Sequence, residues 1–267
     1  MAQKKLHRPS LPPAKKMPAV VLSRASRGDS DLVVTFLTGE KGLITGLAKN
    51  ARQSVRRFGG NLLRPGTAAW YHVRQKPGRD LAFVERGEIN PKAPVLPSDP
   101  ICLALVSWSL ELVRAFEAHE NPAQKSFNLL VRYLMALSKL TDFKPPALEA
   151  RRLSIIFTKS YLKLAGFAPI VDQCFICRDH DSTNWWWDAV LGGVICQKCL
   201  SKRGLGPTKM SQELIGALRM TYGRPSLSNL NEKEILSAEN FFRTIATLQS
   251  GRRFKSVKVF YELLQKT

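Results

Sequence analysis

Two Cys-x-x-Cys pairs constrain this chain more than any other feature. Cys174-Phe175-Ile176-Cys177 and Cys196-Gln197-Lys198-Cys199 are separated by eighteen residues, Arg178 to Ile195. Two cysteines three apart in a tight turn aim both sulfurs at one point, and two such knuckles close a tetrahedron around a metal. The separation lies in the range of zinc ribbons and related treble-clef-like sites. Gly192 and Gly193 stand just before the second knuckle, where a hairpin must bend. Trp185-Trp186-Trp187 supplies a strand before it, with alternate rings over the site. The expected ligands are therefore Cys174, Cys177, Cys196 and Cys199, and the expected ion is one Zn2+. Two disulfides need an oxidising compartment that nothing in the sequence supports. A thioredoxin-like redox centre uses one such pair in a strand–helix setting, not two. Catalytic zinc keeps a coordination position open, whereas four thiolates fill the shell, so the metal is expected to be structural. His7, His72, His119 and His180 lie in no ligand pattern. The fifth cysteine, Cys102, begins an apolar helix and reads as a small buried hydrophobe, not a nucleophile.

Ahead of the cysteines the pattern is strand-like. Ala19–Leu22, Leu32–Leu37, Leu43–Leu47, Ala69–Val73 and Leu81–Val84 read as strands, rich in β-branched and aromatic residues. Gly28-Asp29, Thr38–Gly42 and Lys76–Asp80 read as turns, and a longer link, Lys49–Gly66, joins the third strand to the fourth. Five short strands with one long link is the strand count of a small Greek-key barrel of the OB type. A sandwich fragment or an SH3-like barrel gives a similar string, and pattern alone does not separate them. After Pro91, Pro94, Pro97 and Pro100 the texture becomes helical, over Ile101–His119, Phe127–Leu140, Ala147–Ala165, Gln212–Met220, Glu232–Leu248 and Val257–Leu264. The expected fold is thus α+β. A disordered basic Pro-rich arm (1–16) leads into a five-stranded OB-fold barrel (17–92). A linker (93–100) then joins an α-helical domain (101–267) carrying the four-cysteine zinc knuckle as an insert at 172–204.

Charge points to the partner. Lys and Arg total 41 against 21 Asp and Glu, a formal +20 with pI near 10.1. A surplus that large repels itself unless an anion is near, so nucleic acid is the first candidate and an anionic membrane surface the second. The densest run is Lys49 to Gly60. The candidate DNA-binding residues are Arg27, Lys49, Arg52, Arg56, Arg57, Arg74 and Lys76 in the barrel, with Lys198, Lys202 and Arg203 beside the second knuckle. A further basic cluster lies at Arg252, Arg253, Lys255 and Lys258. Phe58, Trp70 or Tyr71 offers a ring for base stacking, and strand alternation puts one of Trp70 and Tyr71 inside. There is no phosphate-binding G-x-x-x-x-G-K-[ST] loop and no catalytic constellation, so a binding protein is expected, not an enzyme. No run approaches the roughly 18 apolar residues of a membrane span, and the charged start runs into prolines without a signal-like core. The arm lacks acids, as organellar transit peptides do, but its prolines break the helix such a peptide needs. The expected location is cytoplasmic.

Ser26-Arg27-Gly28-Asp29-Ser30-Asp31, Leu37-Thr38-Gly39-Glu40-Lys41-Gly42, Ala48-Lys49-Asn50-Ala51-Arg52 and Arg57-Phe58-Gly59-Gly60 carry a resemblance. In this order they are similar to the N-terminal half of the bacterial recombination mediator family RecO. The late Cys-x-x-Cys…Gly-Gly…Cys-x-x-Cys insert and the Arg253-Phe254-Lys255-Ser256 turn extend the likeness over nearly all the chain after residue 17. The resemblance implies an OB-fold domain joined to a helical domain with a zinc knuckle. It implies binding of single- and double-stranded DNA and annealing of complementary strands. It also implies work with RecR and the single-stranded-DNA-binding protein to load the RecA recombinase in the RecF pathway of recombinational repair. Some members lack the four cysteines, which agrees with a structural metal. The alternative reading of the residues is an RNA-binding or translation-associated zinc-ribbon protein with the same barrel.

Overall fold

The computed structural model describes residues 12–75, 81–140, 146–203, 206–222 and 230–265. By contact these form two compact units, one of residues up to Pro94 together with Glu117–Phe127, the other of Val95–Phe116 and Asn128 onward.

The first unit is a closed barrel of five strands: β1 (Lys15–Arg27), β2 (Asp31–Thr38), β3 (Gly42–Ala48), β4 (Ala68–Arg74) and β5 (Leu81–Ile89), in the order β1-β2-β3-β5-β4. Neighbours are antiparallel except β3 and β5, which run parallel over Thr45–Leu47 and Leu81–Phe83. That closure distinguishes an OB-type barrel from an open sandwich. Alternation decides the core: Met17, Ala19 and Val21 of β1 meet Val34 and Phe36 of β2, Tyr71 and Val73 of β4 and Val84 of β5. At the parallel closure the inward position of β3 is Gly46, where a Cβ would lie 2.6 Å from Val84 Cγ2, so glycine leaves the room that the Val84 side chain fills.

The basic arm expected over 1–16 ends earlier than the sequence suggests. Lys15 and Lys16 already lie in β1, paired with Val73 and His72. Pro18 is tolerated because β2 pairs with β1 only from Ala19 onward, leaving an open side for a residue without an N–H. Residues 1–11 of the arm and the Lys76–Asp80 turn lie outside the described residues. The long link contains one helical turn, α1 (Val55–Phe58), that its composition does not announce.

The second unit holds α2 (Pro100–Phe116), α3 from Gln124 to Ser138 (its first turn grouped with the barrel) and α4 (Pro146–Leu164). After α4 come a hairpin of β6 (Trp185–Asp188) and β7 (Gly193–Cys196), α5 (Gln197–Arg203) and the short β8 (Thr208–Lys209). The chain closes with α6 (Gln212–Tyr222), α7 (Glu232–Ser250) and α8 (Lys255–Leu264). Trp108, Leu105 and Leu112 of α2, Phe157 and Tyr161 of α4, Phe242 of α7 and Phe260 of α8 are buried, as their helical spacing requires. Asn231 caps α7 in a capping box with Glu234, and Gly251 ends the helix in the left-handed region at φ 63°. Across this core, Glu239 accepts from Arg151 Nε at 3.1 Å and from Nη2 at 2.9 Å. Arg243 lies 4.1 Å over the Phe260 ring. Burial pushes the Cys102 thiol up to about 12, and a bond to Asp99 adds to this, in keeping with an inert core residue.

Between α2 and α3 the segment Glu117–Phe127 groups with the barrel. Leu43 N donates to Ala118 O at 3.0 Å, Ala123 N donates to Gly39 O at 2.9 Å, and Thr45 Oγ1 lies 3.2 Å from His119 Nε2. Gly42, at φ 59°, admits this approach, since a Cβ there would meet Asn121 O at 2.3 Å. Nothing in the sequence marks the excursion, because its contacts are all non-local.

Candidate nucleic-acid interface and metal centre

The four cysteines come together. Cys174, Cys177, Cys196 and Cys199 place their Sγ atoms within 4.8 Å of one another, and Cys177 Sγ is 3.6 Å from Cys196 Sγ. A tetrahedron with metal–sulfur bonds of about 2.3 Å has edges of about 3.8 Å, so the set needs little adjustment to hold one ion. The first knuckle is a turn in which Arg178 N donates to Cys174 O at 3.0 Å and Arg178 takes φ 64°. It is tied to the hairpin by Phe175 N donating to Val194 O at 2.7 Å. The second knuckle straddles the end of β7 and the first turn of α5, which sets Cys196 and Cys199 on one side.

The donor chemistry favours a cation. Burial alone would raise the Cys174 thiol, but the amides of Cys177, Cys196 and Ile176 outweigh it and bring it down to about 6. Cys199 is pushed up to about 12 by burial and by its bonds to the other three thiols. Cys177 is raised as well, so the four sulfurs cannot all ionise side by side unless a positive ion lies among them. Trp185 is buried and pairs with Cys196, with Arg219 4.8 Å over its ring, while Trp187 meets Phe241 edge-on. The Trp strand therefore links the knuckles to α6 and α7.

On the barrel, two groups of cations differ. At the N-terminal end of β1 and along β4 and β5 each positive side chain has an acid: Lys15 with Glu40 at 2.5 Å, Lys16 and Arg86 with Glu88 at 2.5 and 3.1 Å, and Arg74 with Glu85. Lys16 also lies 5.4 Å from the Trp70 ring, so Trp70 faces outward there, and Tyr71 faces inward with its hydroxyl donating to Leu62 O. Around the β1–β2 turn and α1 the opposite holds. Arg24, Arg27, Lys49, Arg52, Arg56 and Arg57 form no ion pair among the described residues. Arg57 donates to Ser54 Oγ at 2.9 Å and to Lys49 O at 2.6 Å, and Arg52 donates to Ser26 Oγ and to Asp29 O. Both guanidiniums are held in place by neutral acceptors, with their charge uncompensated.

Of the ten basic residues expected to meet DNA, the structure gathers Arg27, Lys49, Arg52, Arg56 and Arg57 in this region. Arg74 stands on the paired side, and Lys76 is outside the described residues. Lys198 and Lys202 are exposed on α5, whereas Arg203 Nε is bound to Asp188 Oδ2 at 2.8 Å. Sequence reasoning missed the role of Asp188, which accepts from Val190 N, Leu191 N and Arg203 and so fixes the β6–β7 hairpin between the two knuckles. An acid just before a glycine-closed turn was the available signal. It also missed a groove of about 540 Å3 between the β1–β2 turn and α1, lined by Arg24, Ser26, Arg52, Ser54, Phe58 and Asn61 among others.

Among the described residues no helix is long and apolar enough to cross a membrane. Two family descriptions match the chain: "Recombination protein O N terminal" over residues 14–91 and "Recombination protein O C terminal" over residues 97–258. The chain is similar to the DNA repair protein RecO of Desulfatibacillum aliphaticivorans, 32% identical over 187 residues, covering 68% of this chain and 69% of the relative. The DNA repair protein RecO of Anaeromyxobacter dehalogenans (strain 2CP-C) is 35% identical over 185 residues, covering 69% and 70%. That of Syntrophus aciditrophicus (strain SB) is 28% identical over 257 residues, covering 93% and 95%.

Proposed function

The chain belongs to the recombination protein O family of non-enzymatic DNA repair and recombination mediators, and on that premise we propose that it anneals complementary single strands of DNA. In this reading it also helps load the RecA recombinase onto DNA coated by single-stranded-DNA-binding protein, acting with RecR in the cytoplasm. The observation that carries the reading is the set of uncompensated cations around α1, beside a barrel side on which each cation is matched by an acid.

Annealing requires no bond chemistry. It requires that the charge of two polyanions be screened while their bases stay free to pair. Arg27, Lys49, Arg52, Arg56 and Arg57 neutralise the phosphates of one strand, and the second strand approaches a complex whose repulsion is reduced. If about five phosphates are neutralised, the single-strand rule gives a log–log salt slope near −3.5. Lys198 and Lys202 offer a second contact on the other unit. The four cysteines hold one structural zinc ion, and the metal ties the knuckles to the helical unit without touching the reaction.

The experiment is annealing of complementary oligonucleotides coated with single-stranded-DNA-binding protein, without ATP. Acceleration that is lost at high salt is the expected result. No acceleration, with tight binding to RNA in competition, would overturn the reading in favour of an RNA-binding protein. Metal analysis of the same preparation is expected to return one zinc per chain, and none after Cys174→Ser.

A further inference from the structure

A phosphate track needs only surface cations, yet here two of them stand over a cleft. The groove between the β1–β2 turn and α1 has a volume of about 540 Å3, within the roughly 300–1,000 Å3 of clefts that seat small ligands. Its floor is apolar: Leu32, Ala51, Phe58 and Leu63 line it and none is more than 9% exposed. Its rim is polar, with Ser26, Ser54 and Asn61 offering hydrogen-bonding groups and Arg24 and Arg52 offering charge. Among the described residues, no carboxylate lines it. The opening is also held in shape. Arg52 bridges the two walls by donating to Ser26 Oγ on β1 and to Asp29 O in the turn, and Phe58 N donates to Ser54 O at 3.0 Å within the α1 wall.

An apolar floor with a polar rim and two cations at the mouth complements a flat heteroaromatic ring that carries an anion on either side. We propose that this groove seats one unstacked nucleobase of a single strand, with the flanking phosphates on Arg24 and Arg52. The proposal rests on the reading that the unpaired cations bind DNA, and it gives that surface a selectivity that charge alone lacks. A base in a duplex is stacked and paired, and reaches such a groove only at the cost of leaving the helix. A single strand meets no such cost, and a base so held contributes by apolar and stacking contact in any sequence.

The test compares the wild-type protein on two strands of equal length and charge, oligothymidylate and an abasic oligonucleotide. The abasic strand is expected to bind at least about tenfold more weakly, the scale of one well-stacked base. Ser26→Trp fills the groove, and is expected to bring the thymidylate-to-abasic affinity ratio close to one. Equal wild-type affinity for the two strands overturns the proposal. A folded Ser26→Trp variant that keeps the wild-type ratio also overturns it, since the base is then held elsewhere. If that variant does not fold, Val55→Trp on the α1 wall and the wild-type comparison still decide the matter. An Arg52→Gln/Arg56→Gln/Arg57→Gln variant separates the two readings. Weakened binding to both strands without discrimination in wild type removes the groove and keeps the phosphate surface, and unchanged binding removes both.

Discussion

Arg203 Nε donates to Asp188 Oδ2 at 2.8 Å, joining the helix that carries Cys199 to the turn of the β6–β7 hairpin. The same carboxylate takes Val190 N at 3.0 Å and Leu191 N at 3.1 Å on its other oxygen. Burial opposes its ionisation, but Arg203 and these two amides prevail and hold it below the usual aspartate value. Asp188→Ala removes all three bonds and is expected to cost about 2 kcal/mol in the segment that holds the four cysteines. The readout is zinc transfer to a chromophoric chelator, which is expected to speed up severalfold. Asp188→Asn keeps an acceptor for the amides and is expected to fall between.

Arg52→Gln/Arg56→Gln/Arg57→Gln is expected to weaken single-strand binding and flatten its salt slope by about 2, the share of three phosphates at about 0.7 each. Zinc content is expected to stay at the wild-type level, since none of the three lies in the unit that holds the four cysteines. Arg74→Gln is expected to change the slope much less, because Glu85 already matches that charge. Titration of binding against salt for the two variants tests both statements together.

Glu239 lies between Arg151 and Arg243, with 2%, 3% and 7% of the three side chains exposed. Glu239→Ala leaves Arg243 in the core without its carboxylate and Arg151 with Glu232 alone, and is expected to cost about 3–5 kcal/mol by urea denaturation. Replacing all three by apolar residues of similar volume is expected to cost less than that single change.

Hydrogen bonds from Lys16, then from His72, bring the Glu88 carboxyl down to about 2. An unfolded glutamate titrates near 4.3, so the fold favours the ionised form. The resulting stability is present above about pH 4 and is lost as pH falls through about 2. The difference in melting temperature between wild type and Glu88→Gln is therefore expected to be largest near neutrality and to vanish towards pH 2.

Much of this arrangement is legible in the sequence where the physics is local. All five strands were marked by runs of β-branched and aromatic residues, and the turns at Gly28 and Gly42 by glycines that take φ 61° and 59°. The six longer helices followed from apolar spacing, with ends displaced by a few residues, as at α7, where Gln249 and Ser250 extend the expected Leu248 before Gly251 caps the helix. The cysteine site was legible because its spacing is its geometry. What escaped depends on pairing across the chain. Arg74 has the same composition signal as Arg56, and only Glu85 on the next strand tells them apart. Lys15 and Lys16 look like the end of a basic arm until Glu40 and Glu88 accept them along a barrel strand. The groove arises where Ser26 and Leu32 meet Ser54 and Asn61, which only the closure of the barrel brings together.

The return of Glu117–Phe127 to the barrel has a consequence for how such a protein can be cut or rearranged. The proline-rich stretch after Ile89 invites truncation, but a fragment ending at Pro94 would leave Leu43 N and Gly39 O without the partners they have on that segment. The barrel is finished only after α2 has been made, so the polypeptide passes between its units three times. Neither unit is a cassette that a gene fusion could exchange whole at one junction, and their inheritance is bound together by the path of the chain.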